Sequence, residues 1–166
     1  MKIVVITGEE SGDKLAASAI KKLKKISNEP LKIFGIGGRA LEKEGIQKFF
    51  DISDINVMGL IEVLPKIFKI NRIIKSVVNQ IIEIDPDIIF TVDSPDFTLR
   101  IAEQIKKRNN KLKILHYVAP SVWAWRPGRV HTVKKSVDHL LTILPFEKKI
   151  FDKYEVPTTF VGHPLS

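Results

Sequence analysis

Short apolar runs alternate with longer amphipathic ones along the whole chain. Lys2–Thr7 (KIVVIT) is continuous, rich in β-branched residues and ended by Gly8, the pattern of a buried strand. Asp13–Lys25 follows with Leu15, Ala16, Ala19, Ile20 and Leu23 at helical spacing. Lys21, Lys22, Lys24 and Lys25 crowd its last turns, where cations suit the helix dipole. Leu31–Ile36 predicts a second strand, bounded by Gly35, Gly37 and Gly38; Arg39–Glu44 predicts a short helix and Phe49–Ile52 a short third strand. Lys69–Ile84 carries one apolar stripe of Ile70, Ile73, Ile74, Val77, Val78, Ile81 and Ile82, and Pro86 marks its end. Ile88–Val92 has almost no polar interruption, as expected of a central parallel strand covered on both faces. Helix Phe97–Arg108, strand Leu112–Val118, helix Val130–Ser136, strand His139–Ile143, helix Pro145–Tyr154 and strand Thr158–Val161 complete the series.

This alternation predicts an α/β fold with a doubly wound, mainly parallel sheet, in one domain over residues 1–166. No internal repeat, low-complexity tract or linker interrupts it. The chain stops at Gly162-His163-Pro164-Leu165-Ser166 without a polar tail, and the expectation is a truncated chain or a natural half.

Composition adds three constraints. At 44% hydrophobic the chain can bury a core. With no Cys it has no disulfide, thiolate metal site or Cys nucleophile. The net charge of +8 favours anionic partners, among them phosphorylated substrates and acidic membrane surfaces. Lys and Ile are both abundant, however, and a drift in genome base composition enriches both, so the charge alone selects no partner. No apolar run approaches the roughly 20 residues of a spanning helix, and Met1–Thr7 is too short for a signal-peptide apolar region.

Ligands of doubly wound sheets bind outside the carboxyl ends of the strands, and the unusual residues collect there. After the first strand stands Gly8-Glu9-Glu10-Ser11-Gly12-Asp13, neither a dinucleotide fingerprint nor a P-loop. Its carboxylates suit sugar hydroxyls better than pyrophosphate; alternatively it is a turn whose Ser11 or Asp13 caps the next helix. After the central strand stands Val92-Asp93-Ser94-Pro95-Asp96-Phe97. Asp93 is placed to deprotonate a substrate hydroxyl or else to fix the turn, and Asp96 or Ser94 to cap the helix starting at Phe97. The loop Tyr117–Arg129 holds both tryptophans, Trp123 and Trp125, and two of the six arginines, Arg126 and Arg129. Aromatic faces suit sugars and guanidinium forks suit phosphate, although a Trp here also serves to pack the loop on the sheet. Ile55–Phe68 is too apolar for an ordinary surface connection. It is either core or an exposed patch for acyl chains or membrane, with Lys66, Lys69 and Arg72 reaching lipid phosphates. His116, His131, His139 and His163 form no metal-binding motif; His116 and His139 read as structural, and His163, after the last strand, is a weaker site candidate.

Together GEESGD, VMGLIEVL, VDSPDF, YVAPSVWAWRPGRV, LPFEKKIFDKY and VPTTFVGHPL resemble, in order and spacing, the lipid-A-disaccharide synthase family, over Ile3 to Leu165. The resemblance implies the N-terminal, Rossmann-like domain of an inverting glycosyltransferase of the two-domain GT-B type. Such an enzyme transfers an acylated glucosamine from UDP-2,3-diacylglucosamine to 2,3-diacylglucosamine 1-phosphate, giving a β-1,6-linked disaccharide and UDP. It implies Asp93 as the general base for the acceptor's 6-hydroxyl. Glu9, Glu10, Ser11, Asp96, Ser121, Trp123, Arg126 and Arg129 would border the acceptor sugar and phosphate, with His163 on the donor side. Met58, Leu60, Ile61, Leu64 and Phe68 would meet acyl chains at the cytoplasmic face of the inner membrane of a Gram-negative bacterium. It implies no metal, organic cofactor or nucleic acid. Glu10 stands where this family commonly has Thr or Ala. The family's chain is over twice this length, and its other half, on the same or a separate chain, carries most of the UDP site. The alternatives are a noncatalytic remnant that binds acylated glucosamine phosphate, and a basic nucleic-acid module. The scatter of the positive residues over many helices disfavours the latter.

Overall fold

A computed structural model describes residues 1–56, 64–124 and 126–164. Its elements are β1 (Lys2–Thr7), α1 (Glu10–Ile26), β2 (Lys32–Gly37), α2 (Arg39–Lys43), β3 (Gln47–Asp51), α3 (Ile52–Asn56), α4 (Leu64–Ile84), β4 (Ile88–Val92), α5 (Pro95–Arg108), β5 (Ile114–Tyr117), α6 (Arg129–Ser136), β6 (His139–Thr142), α7 (Pro145–Asp152) and β7 (Thr158–Phe160). The strands pair in parallel in the order β3-β2-β1-β4-β5-β6-β7. The doubly wound parallel sheet expected from the alternation is therefore present. Succession runs outward from β1 on one side and from β4 on the other, so the β1/β4 boundary is the topological switch point.

The two-residue period of the strands divides the core between the two faces. Val4, Ile6, Ile89, Ile114 and Leu140 pack against α4 to α7 through Val77, Ile81, Ile101, Ile105, Val133 and Phe151. Ile3, Val5, Phe90, Val92 and Tyr117 pack against α1 and α2 through Ala16, Ala17, Ile20 and Leu41.

Several boundaries depart from expectation: α4 begins five residues early at Leu64, and β5 is confined to Ile114–Tyr117 within the expected Leu112–Val118. Helix α1 begins at Glu10 rather than Asp13, because Glu9 takes the extended N-cap conformation and its carbonyl accepts from Asp13 N at 3.0 Å. The third strand starts two residues early, and α3 follows it directly. Asp13 does not cap its own helix. It is 2% exposed, and its carboxylate accepts from the backbone of Gly38 at 2.8 Å, Ala40 at 2.9 Å and Leu41 at 3.3 Å. A residue inside α1 thus caps α2 and joins the turns after β1 and β2.

His116 is structural, as expected. Its ring is fully buried in β5, with Nδ1 2.8 Å from Thr91 Oγ1. Burial pushes its pKa down from 6.5 to about 4. Between those values the unfolded chain binds a proton that the folded chain excludes. Stability from this group is therefore full above about pH 6.5 and falls as the pH drops towards 4. Relative to His116→Gln, the parent chain should lose about 2 kcal/mol more stability between pH 7 and pH 5. Urea unfolding at the two pH values measures this, and equal losses would contradict it.

Candidate functional site

At the switch point the turns after β1 and β4 touch. A Cβ added to Gly8 would lie 2.6 Å from both Cβ and Oγ of Ser94, so only hydrogen fits there. Gly12 is less tightly enclosed, an added Cβ lying 3.2 Å from the Val92 carbonyl oxygen and at ordinary contact distance, 3.5 Å, from Asp93 Cβ.

The turn after β4 is strained. Asp93 (φ 54°) and Ser94 (φ 44°) are successive left-handed residues, neither of them Gly, and Val118 (φ 73°), at the end of β5, is β-branched as well. Each such conformation costs on the order of 1–3 kcal/mol and persists only where the surroundings impose it. Here buried Thr98 does much of the imposing. Its hydroxyl donates to the carbonyls of Asp93 at 2.7 Å and Ser94 at 3.1 Å, and its backbone N–H donates to Ser94 O at 2.9 Å. The Asp93 N–H is fixed by the Tyr117 carbonyl at 2.9 Å, and the Val118 N–H by that of Leu141 at 3.1 Å.

This geometry turns the half-buried Asp93 towards a crevice of about 450 Å³, lined also by Pro95, Val118, Ala119, Pro120, Ser121, Arg126 and Arg129. Oδ1 accepts from the backbone of Ser94 at 2.8 Å. Among the described residues Oδ2 has only a long contact of 3.5 Å from Ser11 Oγ, which leaves it able to accept a proton from a ligand. Across the crevice Arg126 donates to Asp96 at 3.1 Å, and Arg129 donates to the same carboxylate oxygen. The arrangement offers a carboxylate base beside two guanidiniums suited to an anionic group.

Of the residues singled out in the sequence, Asp93, Ser11, Asp96, Ser121, Arg126 and Arg129 come together here. Neither Ser94 nor Asp96 is the expected side-chain cap. Helix α5 begins at Pro95, Ser94 occupies the N-cap without a side-chain bond, and its Oγ is buried without a partner. Ser11 likewise lies within the first turn of α1 and does not cap it. Glu9 is an exposed N-cap residue. Glu10 pairs with Lys14 at 2.8 Å, which holds its carboxyl below the usual range, and faces a second crevice of about 530 Å³ with Arg39 and Ser53.

Trp123 does not pack into the core; Val122 does, at 4% exposure. Trp123 meets exposed Phe146 edge-to-face with centroids 4.9 Å apart. His163 lines a third crevice of about 380 Å³, with Leu15, Lys22, Phe90 and Tyr117 on the α1 face, away from Asp93. Phe68 is 67% exposed on α4. Met58, Leu60, Ile61 and Trp125 lie outside the described residues, as does the side chain of Leu64. Among the described residues no three His, Asp or Glu side chains are grouped to hold a metal ion.

Sequence reasoning missed Thr98 and Phe146. A Thr within an otherwise apolar helix face, four residues after Ser94, is the available signal for Thr98. Thr98→Val keeps the volume but removes both hydroxyl bonds. It should lower stability by about 1–2 kcal/mol in urea unfolding, and an unchanged midpoint would show that the turn holds itself.

The comparisons with known proteins extend this picture. The family model described as lipid-A-disaccharide synthetase matches residues 3–166. The chain is 43% identical over 166 residues to the lipid-A-disaccharide synthase of Idiomarina loihiensis and 44% identical over 165 residues to that of Rickettsia bellii. It is covered to 99% in both cases and spans 43% of the length of each relative. Among solved structures, UDP-GlcNAc 2-epimerase from Neisseria meningitidis bound to UDP-GlcNAc superposes with a TM-score of 0.67 at 16% identity, over 98% of this chain and 46% of that one, a likeness of fold. With the family model matched almost end to end, the chain belongs to the lipid-A-disaccharide synthase family.

Proposed function

We propose that this chain is the acceptor-binding, base-supplying half of a lipid-A-disaccharide synthase. The observation that carries the reading is Asp93. A strained, externally braced turn aims its carboxylate, with one oxygen nearly unpartnered, into a crevice edged by two arginines. In the proposed step the 6-hydroxyl of 2,3-diacylglucosamine 1-phosphate attacks the anomeric carbon of UDP-2,3-diacylglucosamine. Asp93 takes the hydroxyl proton as the new C–O bond forms. The anomeric C–O bond to UDP breaks on the opposite face, and UDP leaves with the electron pair, giving inversion. Arg126 and Arg129 receive phosphoryl oxygens, and Ser121 and Trp123 border the sugar. Donor binding is assigned chiefly to the portion of the relatives that this chain does not span.

Disaccharide formation from the two acylated glucosamine substrates tests this, with the purified chain alone and with a C-terminal portion of a family member added in trans. Product should require the added portion. Asp93→Asn in the complemented system should lower turnover at least about a hundredfold with the fold intact. Near-normal turnover would remove Asp93 from the base role. No product from a folded, UDP-binding pair would leave ligand binding without turnover as the chain's activity.

The reading also places the protein peripherally on the cytoplasmic face of the inner membrane, near its acylated substrates. Exposed Phe68 adjoins exposed Lys69 and Arg72 on α4, an apolar and basic combination suited to an anionic interface. Among the described residues no helix is long and apolar enough to cross a membrane. Lys69→Gln with Arg72→Gln should weaken sedimentation with vesicles containing anionic phospholipid more than about tenfold, from roughly 1 kcal/mol per cation. Unchanged sedimentation would remove this face from the membrane contact.

A further inference from the structure

Asp96 projects from the first turn of α5 and is 77% exposed, yet one of its carboxylate oxygens accepts from two guanidiniums at once. Resting on the reading above, we propose that Asp96 is a resident counter-anion, holding the Arg126 and Arg129 forks until a phosphoryl group of the substrate takes them over. Phosphate binding is then an exchange of partners, and Asp96 competes with the ligand.

Charge is the first argument. The described residues lining the crevice carry one carboxylate, Asp93, and two guanidiniums, and Asp96 at the rim brings the group to neutrality. A phosphate monoester brings up to two charges and three acceptor oxygens, enough to engage both forks where Asp96 offers one shared oxygen.

Position is the second. Arg129 is the first residue of α6, whose N-cap Gly128 supplies no side-chain bond. A cation at the positive end of a helix runs against the dipole and calls for an anion beside it. Asp96, in contrast, sits at the favoured end of α5, where its charge remains stabilised after the arginines leave it.

Exposure is the third. Arg129 is 20% exposed and stays in place as a fixed fork, whereas Arg126 (64%) and Asp96 (77%) face water and can part readily. This separates Asp96 from the acceptor-binding role that the family resemblance gave it.

The test uses the 166-residue chain at low salt, with the combined fluorescence of Trp123 and Trp125, both in the segment between the crevice residues Ser121 and Arg126, as the reporter. Glucosamine 1-phosphate and UDP are titrated separately into the parent chain, Asp96→Asn, Arg126→Gln and Arg129→Gln, with thermal unfolding as the control for folding. Asp96→Asn should bind a phosphorylated ligand about three- to tenfold more tightly, by losing both a competitor and a like charge. Arg129→Gln should bind at least about tenfold more weakly. The ligand whose affinity rises identifies the phosphate concerned, that of the acceptor or that of the donor. Unchanged or weaker binding by folded Asp96→Asn overturns the exchange while leaving the arginine subsite standing. Arginine variants that bind like the parent remove the subsite itself, and with it this part of the proposed function. Absence of binding by both ligands at millimolar concentration also overturns the proposal.

Discussion

The contact between Gly8 and Ser94 governs what the carboxyl end of the sheet can hold. At a switch point the turns from the two central strands normally diverge and leave a gap. Here a missing Cβ on one side and a left-handed residue on the other bring them together. The space that remains is divided. One crevice opens on the β4/β5 side around Asp93, Arg126 and Arg129, and another on the β1/β2 side around Glu10, Arg39 and Ser53. Ser11 links the two sides through its long contact with Asp93.

Several local rules are broken around the Asp93 crevice. Asp93, Ser94 and Val118 carry positive φ, Arg129 opposes a helix dipole, and Ser94 Oγ is buried without a partner. Elsewhere Asp85 and Glu155 also carry positive φ, and His116 Nε2, Ser136 Oγ and Thr142 Oγ1 are also buried without a partner among the described residues, on a scaffold of parallel strands with amphipathic helices on both faces. Two packed faces supply the stability against which such strain is held, and Thr98 transmits that rigidity to Asp93 through a bond that starts inside α5. Successive left-handed residues beside a crevice, braced by a packed scaffold, are the pattern of a functional site.

The regular part of the fold was legible because its signals are local. The apolar run of Ile88–Val92 and the stripe of α4 each identify their element without reference to the rest of the chain. The place of Asp93 was legible too, since it directly follows the apolar run that identifies β4. What the sequence concealed was long-range pairing. Asp13 caps a helix 25 residues away, and Asp96 meets arginines 30 and 33 residues away, so both looked like caps of their own helices. The separation of Glu10 from Asp93 follows from α1 starting three residues early, a boundary decided by the backbone of Glu9 rather than by any side-chain cap.

The most direct test is a map of backbone amide chemical shifts in the isotope-labelled chain during titration with glucosamine 1-phosphate. Binding at the Asp93 crevice should move the amides of Asp93, Ser94, Ala119, Ser121 and Arg129 together with the indole of Trp123. Shifts confined to Gly38, Arg39, Ala40 and Ser53 would place the ligand in the crevice across the switch point and contradict the assignment of Asp93 as its base.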